Sequence, residues 1–548
     1  RKNISNIYEQ QKAQGKQTAL TEKDEYRTFD SSVYPVLPQQ DVKIRLVYIQ
    51  TTYADHGIGN YVYPLEEGGV DEEKLAFWSY NQTVTEAFSF NMKLRSSYPI
   101  NGVRLPQHPQ AAATSISNKE WNISLVNGQA HNEEGNAAIN PTAQVVQTLD
   151  KDIAVYWRHE QNLPGSIDMI THREPGKDRG TFMITVTPGN DLAKINEGRD
   201  WAFVLDFSGS MKGKYRSLVE GVNKGLAKLN PNDRFKIILF NNNASEITQG
   251  YTAATPINVQ RYTQQLENTQ PNGGTNLYAG LKKGIRGLDA DRSSAIILVT
   301  DGVANVGVTE KKGFLKLLEQ HDVRLFNFVM GNSANKPLLE GMSDISNGFS
   351  MNVSNSDDIV GKLLLATDKL THQAFHDIDF NISGIKTKDL TPAKIGSLYR
   401  GQQLIIFGHY WGDGMADVSI EGKVSGHDKR YETRFSFPKQ STLNPEIERL
   451  WAYATIQDLK NQMDYLGEDE DAKQAIVDIA LEYGLVTDYT SMIVVPEDVF
   501  KQLNIDRNNA KRVQKEHDAR QQRQATNVRD NRVDTQQPAF SAPRAYPS

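Results

Sequence analysis

Two rhythms of apolar and polar residues divide this chain. In "FSFNMKLR", Phe88, Phe90, Met92 and Leu94 share one face, while Ser89, Asn91, Lys93 and Arg95 share the other. A period of two predicts a half-buried strand. "DVKIRLVY" (Val42, Ile44, Leu46, Tyr48) and "TFMITVTPG" (Phe182, Ile184, Val186) repeat it. The polar stretch from Pro106 to Asn140, rich in Ala, Asn and Ser, predicts long loops around few strands. After a short helix-like start, residues 1–190 therefore read as a β-sandwich domain.

The rhythm changes near Asp200. "WAFVLDFS" is a continuous apolar run, followed by Leu218, Val222, Leu226 and Leu229 at helical spacing. The strands "RFKIILFN", "SAIILVTDG" and "VRLFNFVMG" then alternate with amphipathic helices, ending in "DDIVGKLLLATDKL". Fully apolar strands alternating with such helices predict a doubly wound parallel sheet covered on both faces, residues 199–370. Strand alternation resumes over 371–438 in "HDIDFNIS", "GQQLIIFGHYW", "ADVSIEGKV" and "RYETRFSF", a β-strand region expected to pack on residues 1–190 with the α/β unit inserted between them. Two helices and a last strand, "SMIVV", fill 439–500, and the Gln-, Arg-, Asn- and Asp-rich residues 501–548 read as a polar disordered tail. The predicted fold class is multidomain α/β plus β: a doubly wound parallel sheet flanked by β-sandwich regions and a C-terminal helical segment.

Composition narrows the function. At 548 residues the chain exceeds one ordinary core. It contains no apolar run of the roughly 18 residues needed to span a membrane. The opening "RKNISNIYEQ" lacks the apolar segment of a signal peptide. A net charge of −6 with no basic face gives no reason to expect nucleic acid. The absence of cysteine removes zinc-thiolate sites, thiol nucleophiles and disulfides.

The candidate chemistry lies in the α/β unit. Open parallel sheets bind ligands beyond the carboxyl ends of their strands. Three loops at such ends are unusually polar: "DFSGS" with Asp206, Ser208 and Ser210; "PNGGTNLY" with Thr275 after two glycines; and "LVTDG" with Asp301. Each alone reads more readily as a turn or a helix cap. Together they supply two carboxylates and three hydroxyls, an all-oxygen set that suits one hard divalent cation, Mg²⁺ best, with Ca²⁺ or Mn²⁺ as alternatives. Neutral hydroxyl donors would leave the ion much of its charge and an open position for an acidic side chain from a partner.

"DFSGS", "GGT" and "TDG", in that order, resemble the von Willebrand factor A domain with an intact metal-ion-dependent adhesion site. The resemblance assigns Asp206, Ser208, Ser210, Thr275 and Asp301 to the metal, and implies protein binding rather than catalysis. "IYEQQKAQGKQTALTE", "FDSSVYPVLPQQDVKIRLVY" and "YVYPLEEG" resemble the later part of a vault-protein/inter-alpha-trypsin (VIT) domain. "LWAYATIQDL" and "ALEYGLVTDYTSMIVV" resemble the segment following the A domain in inter-alpha-trypsin inhibitor heavy chains and their bacterial relatives. Such a VIT domain has strands before the "IYEQQ" helix, so its N-terminal strands are expected to be missing here. The heavy chains' Asp-Pro-His motif is absent, so ester linkage to hyaluronan is not implied. A cysteine-free, Gln-rich sequence looks more like a Gram-negative bacterial member, extracytoplasmic, secreted or on the cell surface. The expected partner is a protein presenting a carboxylate to the metal. A second reading is a structural component of a surface assembly, in which the metal serves stability or self-association.

Other readings find less support. A phosphatase with its nucleophile at Asp206 needs an acid two positions on, where Ser208 stands. The G-x-x-x-x-G-K-[ST], H-E-x-x-H and G-x-S-x-G templates do not occur. His372 and His376 lie at helical spacing, but in a stretch that reads as strand. The acidic "GEDEDAK", residues 467–473, reads as a loop entering a helix rather than a calcium site. Met211 fits either a binding surface or the core.

Overall fold

The computed structural model describes residues 2–24, 28–40, 43–65, 88–126, 130–131, 137–138, 151–160, 166–187, 192, 194–195, 197–287, 294–301, 304–321, 323–331, 334–353, 359–502 and 508–528. Its centre is the α/β unit. β1 (Asp200–Asp206) leads through a short 3₁₀ turn at Gly209–Met211 to α1 (Tyr215–Leu226). Next come β2 (Arg234–Phe240), α2 (Pro256–Glu267) and α3 (Leu277–Ile285). β3 (Ser294–Thr300), α4 (Lys311–Glu319), β4 (Arg324–Met330), α5 (Lys336–Ile345), β5 (Phe349–Val353) and α6 (Ile359–Leu370) complete it. The five strands are parallel, in the order β2-β1-β3-β4-β5. Ala244–Glu246 and Thr252–Ala253 pair antiparallel with β2.

Both faces of this sheet are covered, which explains its long apolar runs, broken only by the buried Lys236 in β2 and Asn327 in β4. Trp201, Phe203 and Leu205 point into a core shared with α1, α2 and α6. Ala202 and Val204 point the other way, into a core shared with α3, α4 and α5. The order of strands reverses between β1 and β3, the place where such sheets open a crevice for ligand.

The flanking β-structure divides differently from expectation. Ser89–Arg95, Glu120–Val126 and Ala112–Ser117 form one sheet; Ala54–Asp55, Ile58–Tyr63, Ile153–His159 and Ile100–Arg104 form another. Leu94, Ile123 and Leu125 pack with Ile100, Ile153, Val155 and Trp157 in a common core. The strands Ser166–His172 and Arg179–Thr187 do not join that sandwich. Arg179–Thr187 pairs instead with β6 (Leu404–Trp411), from beyond the α/β unit, in register from Arg179 opposite Trp411 to Val186 opposite Leu404. Phe182, Ile184 and Val186 then share a core with Val418, Ile420, Tyr431 and Phe435 of the sheet Phe375–Ser383, Gly414–Val424 and His427–Phe437. Alternation specifies which face of a strand is buried; it leaves open which sheet the strand joins.

Two further expectations are corrected. Residues 43–50 form no strand: the expected Ile44, Leu46 and Tyr48 are exposed, and Val42 lies outside the described residues. In the stretch 106–140, expected to hold long loops around few strands, Ala112–Ser117 and Glu120–Val126 are paired. The polar tail is not disordered throughout. Asn508–Gln524 is a helix lying against α7 (Glu446–Leu466), where Glu516 accepts a bidentate pair from Arg449 at 2.8 and 2.6 Å. Arg523 adds a second pair to Glu446 at 3.0 and 2.5 Å. Charge pattern alone hid these contacts, because the buried groups of this helix are themselves ionic. α8 (Glu470–Tyr483) begins with Asp469 capping the Asp471 amide at 3.1 Å, so "GEDEDAK" is a loop entering a helix. The last strand, Met492–Val494, returns to pair with Thr18–Asp24.

The Arg449–Glu516 pair is almost wholly buried, with 11% and 4% of the two side chains exposed. Removing one member of such a pair strands the other charge, at a cost of about 3 kcal/mol. Glu516→Ala is accordingly expected to release Asn508–Gln524 while the rest stays folded. Hydrogen exchange that leaves the amides of this helix as protected as in the wild type would contradict that account.

Candidate functional site

β1 and β3 deliver their last residues to one edge of the sheet, with Leu205 in register with Val299. One step further, the Thr300 hydroxyl donates to Asp206 Oδ2 at 2.6 Å. Asp206 Oδ1 accepts the Ser208 amide at 2.8 Å, which folds the chain back over the strand end. Ser208 Oγ lies 3.1 Å from Ser210 Oγ, and Ser210 Oγ donates to Asp301 Oδ1 at 2.8 Å. The other oxygen of Asp301 accepts from Lys214 Nζ at 2.8 Å.

Thr275 arrives on a loop laced to the same turn by backbone bonds. The Gly209 amide donates to Gly273 O at 2.9 Å, and the Asn272 amide to Phe207 O at 2.9 Å. Gly273 adopts φ +77°, a left-handed conformation that favours glycine. At Gly274 a Cβ would stand 2.9 Å from Asn242 Oδ1 and 3.0 Å from Asn305 Oδ1, so only hydrogen fits without displacing both side chains. Those two asparagines brace the loop, accepting from the Gly274 and Thr275 amides at 2.8 Å each. Thr275 itself is fully buried, and Asn276 then caps α3 by accepting from Ala279 at 3.1 Å.

The structure thus joins Asp206, Ser208, Ser210 and Asp301 in one hydrogen-bonded chain and laces the loop of Thr275 to it. Met211 is wholly buried and belongs to the core. His372 Nε2 lies 2.8 Å from Arg400 Nη1, and His376 pairs with its neighbour Asp377 at 3.1 Å. Among the described residues no group of three or more His, Asp or Glu is arranged to hold a metal. The site of interest is a hydroxyl-rich one. Sequence reading missed Thr300, Lys214, Asn242 and Asn305. Lys214 lies four residues after Ser210, and Asn242 follows the end of β2 as Asp206 ends β1; strand-end position was the available signal.

Two acids buried together define the electrostatics. Burial, and secondarily the charge of Asp301, push the Asp206 carboxyl up to about 7, against the opposing effect of the Thr300 and Ser208 donors. A cation beside these oxygens would relieve both causes at once. The all-oxygen donors, neutral hydroxyls included, fit a hard divalent cation. Around them Ser210 and Gly209 are half-buried, and Asn272 and Gly273 exposed, so the cluster opens at the loop tips.

Comparison with known proteins agrees with this architecture. Residues 200–351 match the family model of the von Willebrand factor type A domain, and residues 1–48 that of the vault protein inter-alpha-trypsin domain. Inter-alpha-trypsin inhibitor heavy chain H3 from Homo sapiens is 28% identical over 384 residues, covering 64% of this chain and 41% of that protein. Heavy chain H1 from Bos taurus is 24% identical over 409 residues, covering 69% of this chain and 44% of the other. The chain therefore spans less than half the length of these relatives. Among solved structures, von Willebrand factor type A from Catenulispora acidiphila is similar at 14% identity and a TM-score of 0.39, covering 59% of this chain and 89% of that one. The Gram-negative source expected above finds no support in these matches.

The raised Asp206 carboxyl gives the apo protein a pH dependence of defined sign. Between the unfolded value near 4 and the folded value of about 7, the native state binds more protons than the unfolded state. Its contribution to stability is therefore fully present below about pH 4 and lost as pH rises through about 7. In EDTA, Asp206→Asn should flatten this part of the profile between about pH 4 and 7. Parallel wild-type and variant curves in urea titrations would refute the assignment.

Proposed function

Because this chain is a VIT plus von Willebrand factor A protein, we propose that Asp206, Ser208, Ser210, Thr275 and Asp301 form a metal-ion-dependent adhesion site that binds an acidic group of a partner protein outside the cytoplasm. The observation that carries this reading is the gathering of all five residues, from three separate loops, into one laced cluster at the strand-order reversal. Ser208, Ser210 and Thr275 would offer hydroxyl oxygens, while Asp206 and Asp301 supply negative charge directly or through water. When bound, a divalent cation, Mg²⁺ best by this donor set, supplies a Lewis-acidic position that a partner's carboxylate can fill.

The protein's own task is to keep these oxygens in place. The Ser208 amide and Thr300 hydroxyl hold the Asp206 carboxylate from both sides. The Asn242 and Asn305 side chains tie the glycine loop to the loops after β2 and β3, and backbone bonds from Gly209 and Asn272 tie it to the turn after β1. The half-exposed rim admits a side chain from outside, and helices on both faces of the sheet close the rear. The role is binding, not catalysis.

Saturating Mg²⁺ or Mn²⁺ at about one hundred times its Kd should stabilise the folded chain by about 2.7 kcal/mol, a rise in Tm of about 5–10 °C for a unit of this size. Ser208→Ala and Thr275→Ala should remove most of that rise while leaving Tm in EDTA within a few degrees of the wild type. No cation-dependent shift in the wild type would end the metal reading. Partner binding is checked separately by pull-down from an extracellular extract with and without Mg²⁺, comparing wild type with Asp301→Ala. The same partners in every arm would sink metal-mediated adhesion.

A further inference from the structure

Lys214 has so far been placed beside Asp301 without a role of its own: its ammonium stands 2.8 Å from Asp301 Oδ2 and four-fifths of its side chain is buried. Asp301 is fully enclosed, and its two oxygens are divided: Oδ1 accepts from Ser210 and Oδ2 from Lys214. Lys214 immediately precedes α1, so its backbone is set by the helix start. We propose that Lys214 is a built-in counter-ion that sets the charge of the adhesion site, weakening its hold on the metal and strengthening its hold on an anionic ligand group. This inference rests on the reading of the cluster as a metal site.

The charge count shows why. Two ionised carboxylates exactly neutralise a divalent cation, leaving a loaded site with no attraction for a carboxylate beyond the ion's immediate reach. The Lys214 ammonium, paired with Asp301, turns that neutral set into one carrying a single net positive charge. In a partly desolvated pocket a unit charge at this range acts strongly. It opposes entry of a cation and favours an anion at the rim. Asp301, with both oxygens already engaged, then acts on the metal as a distant charge, which leaves the inner positions to the hydroxyls and to the partner. Lys214 is a positioning and charge-setting residue; it need not touch the partner itself.

The test uses Mn²⁺ as the metal probe and acetate as the anion probe on the full chain. Mn²⁺ affinity is read by electron paramagnetic resonance, and acetate binding to the Mn²⁺-loaded protein by water-proton relaxation. Lys214→Met keeps the aliphatic stem and removes the charge; Lys214→Gln is the second neutral variant should the first misfold. Either should bind Mn²⁺ about tenfold more tightly than the wild type and bind acetate about tenfold more weakly. Lys214→Arg, which keeps the charge, should restore wild-type values for both. Neutral variants with wild-type Mn²⁺ affinity, or with tighter Mn²⁺ but undiminished acetate binding, would overturn the inference while leaving the metal site standing. If the wild type binds no Mn²⁺ and only the neutral variants do, the native site is not a metal site and the inference fails with that reading. If neither binds, the metal reading and the inference fall together.

Discussion

The pairing of β1 with β3 is the constraint on which the candidate site depends. Parallel register brings Leu205 opposite Val299, so Asp206 and Thr300 meet at the carboxyl edge with Asp301 one residue beyond. A slip of one residue would send Asp206 to the opposite face of the sheet and separate it from both. Helices pack on both faces, so Asp206 cannot turn toward water. Its charge must be met locally, by the Ser208 amide and the Thr300 hydroxyl. These two bonds offset part of the desolvation cost without abolishing it, and the carboxyl remains raised to about 7. A buried acid held in that condition is costly to the fold, and the apolar mass of the two cores is what sustains it.

The same burial explains what could be read from the chain beforehand. Strands covered on both faces are mostly apolar, so β1 through β4 stand out as runs broken only at Lys236 and Asn327, and the polar residues after each run mark an edge. Asp206 and Asp301 were legible for that reason, and Ser208, Ser210 and Thr275 by their place beside them. Their supports were less visible. Thr300 is an ordinary strand residue by composition, and Asn242 and Asn305 belong to polar loops that many folds would tolerate. Only the bonds that their oxygens accept from the Gly274 and Thr275 amides, in a place where no Cβ would fit, show why those side chains stand there.

Outside the α/β unit, pattern carried less information because it is two-valued. Phe182, Ile184 and Val186 announce a half-buried strand, and they are buried, yet their partners come from β6 more than 200 residues later. Ile44, Leu46 and Tyr48 show the same alternation and form no strand at all. Alternation is necessary for a one-sided strand but needs a neighbour to pair with. The reverse error arose at Asn508–Gln524, where charge was taken for solvation. Arg449 and Glu516 satisfy each other in a fork-to-fork pair, and ionic groups so matched can be buried as apolar ones are.

How the α/β unit is mounted bears directly on what its site can meet. The chain enters after Arg179–Thr187 and leaves toward β6, and those two strands are neighbours in one sheet. Between them the entering and leaving segments are tied together: Ile195 N donates to Thr371 O at 2.9 Å, and Lys194 bridges His372. A buried ion pair, Lys369 with Asp55 at 2.6 Å, pins the end of α6 to the N-terminal sandwich. All of these ties lie where β1 begins and α6 ends, at the amino edge of the parallel sheet. Parallel strands all point the same way, so these ties hold the end of β1 opposite to Asp206, while a further ion pair, Lys311 with Asp464 at 2.7 Å, joins the start of α4 to α7. The α/β unit is thus an insertion between two paired strands, held chiefly at its base, and its five-residue cluster lies at the other end of β1 and β3.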